Sequence, residues 1–304
     1  VPQAYLRAFA ADEKRQKIWR LSKEEGDAEL KPIEKVAVRF HLYAPKGADG
    51  RRNDALERKL SKLEQFIGDR VWQALCNDFV DLEWEPLRKM LALILATNFV
   101  RTPTRFEHWK AQHRAWIEQF SQFPALPTHL TIGGVRRELD HSDWDQFRTA
   151  SEEDMKRAWN AYVGSPGDLA RTFLGMRWAI VFAEEPVFVT SDNPVTVDHP
   201  SLTFKGLKDP ETTVSFPLSP TRMLQLDNRH AEMGNAYWPL KHSPAWTNLL
   251  TWRNSIEYMF SHRDPHEVCA EMDRCNLKNL PPPRVDGLVV DSVARMAEAP
   301  RQAA

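Results

Sequence analysis

A chain of 304 residues fits either two small domains or one layered domain of roughly 250 residues. Apolar residues make up 42% and charged residues 27%, which excludes wholesale disorder. A net charge of −1, from 41 basic and 42 acidic side chains, excludes a strongly basic nucleic-acid coat. No apolar run reaches the ~18–20 residues of a bilayer-spanning helix, so a membrane-embedded protein is excluded as well.

The chain opens Val1-Pro2-Gln3 with neither an initiator Met nor a secretory leader, so residues upstream of Val1 are expected. Cys76, Cys269 and Cys275 have no CxxC or zinc-ligand spacing and read as free thiols of a reducing, cytoplasmic setting. Aromatic and charged residues mix over 1–20, and a polar stretch covers 24–29. A strand is predicted over 34–42 and a Pro/Gly-rich loop over 44–52.

From Asn53 or Asp54 a helix is predicted to Cys76, with Leu56, Leu60, Leu63, Ile67 and Val71 on one face. Residues 83–100 predict a second helix, with Pro86 in its first turn and an apolar run (MLALILA) that calls for burial on most sides. Pro103 ends it near Arg101. A third helix over 104–120 carries Phe106, Trp109, His113, Trp116 and Phe120 at helical spacing. Such basic–aromatic interleaving can stack on single-stranded nucleic acid, but the periodicity favours core packing. Residues 123–139 read as a loop or weak hairpin, and 151–163 and 168–174 as helices.

After Met176 the pattern turns to strands. Residues 177–182 and 187–190 predict a β-hairpin, and 213–218 and 223–226 two further strands. Helices are predicted over 244–262 and 266–278, then an edge strand over 288–290 and a frayed tail over 291–304. This order is α+β, mainly helical (about 53–175), with a small antiparallel sheet in the second half (about 176–227) and C-terminal helices (about 244–278).

Glu64 stands out because the helical wheel sets it on the apolar face, where a carboxylate needs a partner. Arg101 offers one, continuing the stripe of Leu87, Leu91, Ile94 and Asn98, with Arg105 a turn further on. Two readings follow. In one, an ion pair locks two helices. In the other, Glu64 is a base or metal ligand and Arg101 an anion clamp. Thr190-Ser191-Asp192-Asn193-Pro194 is likewise either a well-made corner or a strand-end presentation of polar groups, with Asp192 binding an ion or orienting a histidine. No P-loop, GxGxxG, HExxH or GxSxG motif occurs. The pairs His108/His113 and His262/His266 are weak metal candidates.

Val1-Pro2-Gln3-Ala4-Tyr5-Leu6-Arg7-Ala8-Phe9, Leu63-Glu64, Arg101-Thr102-Pro103, Trp178, Thr190–Val195 and Phe216-Pro217-Leu218-Ser219-Pro220 occur in that order. The chain thereby resembles the bacterial family called domain of unknown function 4238, from residue 1 to about 262. The resemblance implies one compact domain, taken here as 1–290, and a histidine one or two places before the Val-Pro. It implies no reaction.

The expectation is a phosphodiester hydrolase, nuclease-like and acting on RNA or DNA, in a toxin or defence setting. Glu64, Arg101 and Asp192 are the catalytic candidates, and Asn98, Arg105, Ser191 and Asn193 the substrate-binding ones. No metal ligand is assigned, although a divalent metal ion is an open option as cofactor. Nucleic acid is the candidate partner, supported only by 16 basic against 12 acidic groups in residues 1–70. The alternative is a non-catalytic binding or sensor module for a small anionic ligand.

Overall fold

A computed structural model describes residues 1–36, 51, 53–132, 135–201, 205–241 and 243–273. The chain runs α1 (Gln3–Leu6), β1 (Lys17–Ser22), β2 (Ala28–Pro32), α2 (Ala55–Glu64), α3 (Arg70–Asn77), α4 (Glu85–Val100) and α5 (Pro103–Ser121). It continues with β3 (His129–Ile132), β4 (Val135–Glu138), α6 (Trp144–Arg148), α7 (Glu152–Gly164), α8 (Gly167–Leu174), β5 (Arg177–Phe182), β6 (Thr190–Ser191) and β7 (Thr196–Asp198). Last come β8 (Thr213–Ser219), β9 (Arg222–Asp227), β10 (Ala236–Pro239), α9 (Ala245–Asn254), β11 (Tyr258–Ser261) and α10 (Pro265–Asp273). The architecture is α+β, as the pattern of segments predicts.

Two sheets share the molecule. One has the order β2-β1-β11-β6, all antiparallel. The other is β10-β5-β9-β8-β7, mixed because β10 lies parallel to β5. β3 and β4 form a separate hairpin, the weak one expected within 123–139.

The apolar run of α4 behaves as its composition demands. Leu87, Leu91, Ile94 and Leu95 are fully buried, and the helix packs chiefly on α8. Each such side chain contributes about 1.5–3 kcal/mol of transfer free energy, offset by the entropy of ordering the chain. One hydrophobic core runs from Tyr5 through α4 to Phe216 and Phe260, so the N-terminal segment, α3, α4, α8 and both sheets share it. Phe106, His113 and Phe120 of α5 are buried, and Phe106 packs against Trp159 of α7, so core packing accounts for this aromatic stripe. A capping box of Ser151 and Asp154 starts α7.

Several expected elements are corrected. The helix predicted from 53 to Cys76 is two helices. Gly68, at φ +105°, takes a backbone conformation that a helix interior forbids, and Asp69 then caps α3 through the Trp72 N–H. The expected hairpin of 177–182 with 187–190 does not form. The N–H groups of Val187 and Phe188 are taken by the Pro220 carbonyl, and β6 pairs with β11 in the other sheet. The helix expected over 244–262 stops at Asn254, and 258–261 is the strand β11. Strands β1 and β2 carried no clear alternation, so the sheets are not confined to the second half. The strand expected over 34–42 falls mostly outside the described residues, and its described start is a 3-10 turn, Ile33–Lys35. The loop over 44–52 lies largely outside them too, as do the helix beyond Asp273, the edge strand over 288–290, the tail and Cys275.

No helix among the described residues is long and apolar enough to cross a membrane. Cys76 and Cys269 are free thiols, and burial pushes Cys76 up to about 12.

Candidate active site

The opening segment, the TSDNP turn and the FPLSP strand meet at Tyr5. Its hydroxyl donates to the Pro217 carbonyl at 2.6 Å and lies 2.7 Å from Thr190 Oγ1, while its ring stacks on Phe216 with centroids 5.2 Å apart. Burial raises the phenol far above its ordinary range, so it serves as a neutral strut. Tyr5→Phe keeps the ring but leaves a buried carbonyl and hydroxyl unpaired. It is expected to cost about 1–3 kcal/mol in urea denaturation; an unchanged midpoint would show that the strut carries no stability.

Beside this junction opens a cleft of about 810 Å³. Glu57, Leu60 and Glu64 project into it from successive turns of α2, and Asn98 and Arg101 from the last turn of α4 and its C-cap. Val1 and Pro2 form another part of the wall, Arg20 of β1 and Lys35 another, and Asp192 with residues 256–258 a further one.

Glu64 and Arg101 are joined as the helix pattern predicts. Arg101 Nη1 donates to Glu64 Oε1 at 2.9 Å, with the arginine side chain 7% and the glutamate 32% exposed. The guanidinium also sits at the carboxyl end of α4, where the helix dipole favours a cation. Glu64 Oε2 has no partner among the described residues. The carboxylate is therefore anchored through Oε1, and the side chain lines the cleft. Asn98 is 4% exposed; its Nδ2 donates to the Ile94 carbonyl at 2.9 Å, and its buried Oδ1 has no partner among the described residues.

Asp192 lines the same cleft, but its oxygens are engaged. Oδ1 accepts the Ile256 N–H at 2.8 Å, and Oδ2 accepts those of Glu257 at 2.7 Å and Tyr258 at 3.1 Å. The Asp192 N–H in turn donates to the Tyr258 carbonyl at 3.1 Å. Burial pushes the carboxyl above its ordinary value, against the pull of these three donors. Asp192 thus ties the turn between β6 and β7, where the chain passes from one sheet to the other, to the start of β11. Behind it, Lys23 Nζ donates to the carbonyls of Trp252, Arg253 and Ser255 at 3.1, 3.0 and 2.8 Å and closes the end of α9.

The other expected substrate contacts lie off the cleft wall. Arg105 rides over the Phe99 ring at 4.0 Å from its centroid, and burial pushes its guanidinium down to about 10. Ser191 is fully buried and its hydroxyl accepts the Asn193 N–H. Asn193 and Asn254 exchange side-chain-to-carbonyl bonds at 3.0 and 2.9 Å, the work of a corner. Glu57, Arg20 and Lys35 were not anticipated. The 3- and 4-residue steps from Glu57 to Leu60 and Glu64 place Glu57 on the Glu64 face and were readable, whereas the positions of Arg20 and Lys35 depend on long-range packing.

A family model described as "Protein of unknown function (DUF4238)" matches residues 1–265. No curated protein and no solved structure matches the chain.

Proposed function

We propose, for a chain that belongs to the DUF4238 family of proteins of unknown function, that the cleft hydrolyses a phosphodiester. The observation that carries this reading is the Glu64 carboxylate, held through Oε1 by a buried guanidinium and about one third exposed on the cleft wall. A water on Oε2 loses its proton to that oxygen as it attacks phosphorus. Arg101 and, at the rim, Lys35 offset the charge that gathers on the phosphoryl oxygens. Asn98 Oδ1 accepts a hydroxyl or amino donor of the substrate. Protonation of the leaving oxygen is assigned to the histidine that the family resemblance implies one or two places before the Val-Pro. Asp192 has a positioning role here, since its lone pairs already serve the backbone of residues 256–258.

The cleft wall carries Arg20, Lys35 and Arg101 against Glu57, Glu64, Asp192 and Glu257, an excess of one acid, so long-range attraction of a polyanion is weak. Its volume suits a small ligand or one or two nucleotide units. A short single strand or a small phosphodiester therefore fits better than a duplex. The same balance is the observation that favours the second reading, a module that binds a small anionic ligand without turnover. A reducing, cytoplasmic setting belongs to the proposal and rests on the free thiols of Cys76 and Cys269.

The test is incubation of the full-length protein with labelled single-stranded RNA, single-stranded DNA and a dinucleotide, with and without Mg²⁺ or Mn²⁺. Cleavage that Glu64→Ala removes supports the hydrolase. Absence of cleavage, or equal cleavage by the variant, eliminates it, and dinucleotide binding without turnover supports the module.

A further inference from the structure

We propose that His199, Asp209 and Glu211 form a zinc site outside the cleft. His199 directly follows β7, and Asp209 and Glu211 lie four and two residues before the start of β8. Those strands pair with Asp198 opposite Thr213, so the ends of the connecting segment are brought together. The three ligand atoms lie within 4.8 Å of one another, the one such His/Cys/Asp/Glu group among the described residues.

The imidazole is the independent sign of a ligand. It is only 7% exposed, and Ser201 fixes it through Nδ1, with the Ser201 hydroxyl at 2.6 Å and backbone N–H at 3.1 Å. Nε2 therefore points at the acids, with Asp209 Oδ1 at 3.3 Å and Glu211 Oε2 at 3.6 Å. Zinc–ligand bonds of about 2.0–2.2 Å in a tetrahedron hold ligand atoms roughly 3.3–3.5 Å apart, which is the spacing from Nε2 to these oxygens. Glu211, 65% exposed, needs only a side-chain rotation to close the set. Because the Ser201 N–H donates to Nδ1, the neutral ring holds its proton on Nε2; ligation through Nε2 moves that proton to Nδ1, where Ser201 Oγ accepts it in place of the bond from the Ser201 N–H, the outer contact that orients a ligating histidine. Nitrogen and carboxylate oxygen donors with a fourth position for water suit Zn²⁺. The ion would staple the two ends of the 199–211 segment.

The experiment is calorimetric titration of the chain with Zn²⁺, paired with Co²⁺ absorption spectra. The expected result is one equivalent bound, with tetrahedral cobalt bands and no thiolate charge-transfer band of the kind a cysteine site would add. His199→Gln and Asp209→Asn are each expected to weaken binding at least tenfold, while Glu64→Gln leaves it unchanged. Circular dichroism checks each variant, and Glu211→Gln, altered at an exposed position, supplies the reading where His199→Gln does not fold. No stoichiometric binding, or binding by folded variants within twofold of wild type, overturns the site and leaves the trio a solvated ion pair.

Discussion

Glu64→Gln is expected to lower turnover of a cleaved phosphodiester by about 10²–10⁴-fold, the range typical of a lost general base. The amide keeps the shape of the side chain and still accepts from Arg101 Nη1, now 2.9 Å from Glu64 Oε1, so the anchor survives while the proton acceptor is lost. Because the carboxylate is about one third exposed, losing its charge beside the buried guanidinium is expected to cost only about 1–3 kcal/mol, below the figure for a fully buried pair. Glu64→Asp retains a base but withdraws it by about one methylene, a displacement on the scale that costs roughly 10²-fold. Turnover of both variants with each folded by circular dichroism is the measurement. Full activity in Glu64→Gln would remove Glu64 from the chemistry and leave it as one half of a helix-locking pair.

The second large effect is on stability. Asp192→Ala strips the acceptors from the N–H groups of Ile256, Glu257 and Tyr258 at once. Buried donors left unpaired cost about 1–3 kcal/mol each; water can reach the exposed Glu257 group, so a total of about 3–5 kcal/mol is expected. That corresponds to a fall in Tm of roughly 5–15 °C for a chain of this size. Asp192→Asn offers one acceptor oxygen where two are used, so it should fall between wild type and alanine. Thermal unfolding decides the matter. An Asp192→Asn protein as stable as wild type but inactive would return the aspartate to a chemical role.

How far the site was legible follows from where each contact originates. Glu64 could be found because a carboxylate among Leu60, Ile67 and Val71 demands a partner, and Arg101 because it continues the buried stripe of α4. Both signals are local periodicity. The wheel nevertheless overstated the burial of Glu64, since α2 ends at that residue and the Gly68 turn lets it face the cleft. The TSDNP segment was legible as a turn, but the partners of Asp192 lie more than 60 residues away, and no spacing announces them. Arg105, Ser191 and Asn193 were chosen for their nearness in sequence to the right residues, and packing turned them towards an aromatic ring and a corner instead.

By itself the sequence determined the α+β order, the buried α4, the inward stripe of α5 and the Glu64–Arg101 pair. All of these arise from residues three or four apart on a helix, or from one charge that cannot remain alone. Tertiary structure decided that Thr190–Ser191 pairs with β11 and not with 177–182, that 258–261 is a strand, and that β1 joins it. It also decided that Asp192 braces a crossing between sheets, and that His199 meets Asp209 and Glu211. Strand pairing and loop closure take their energy from partners remote in the chain, so the same short segment can serve in either sheet until its neighbours are in place.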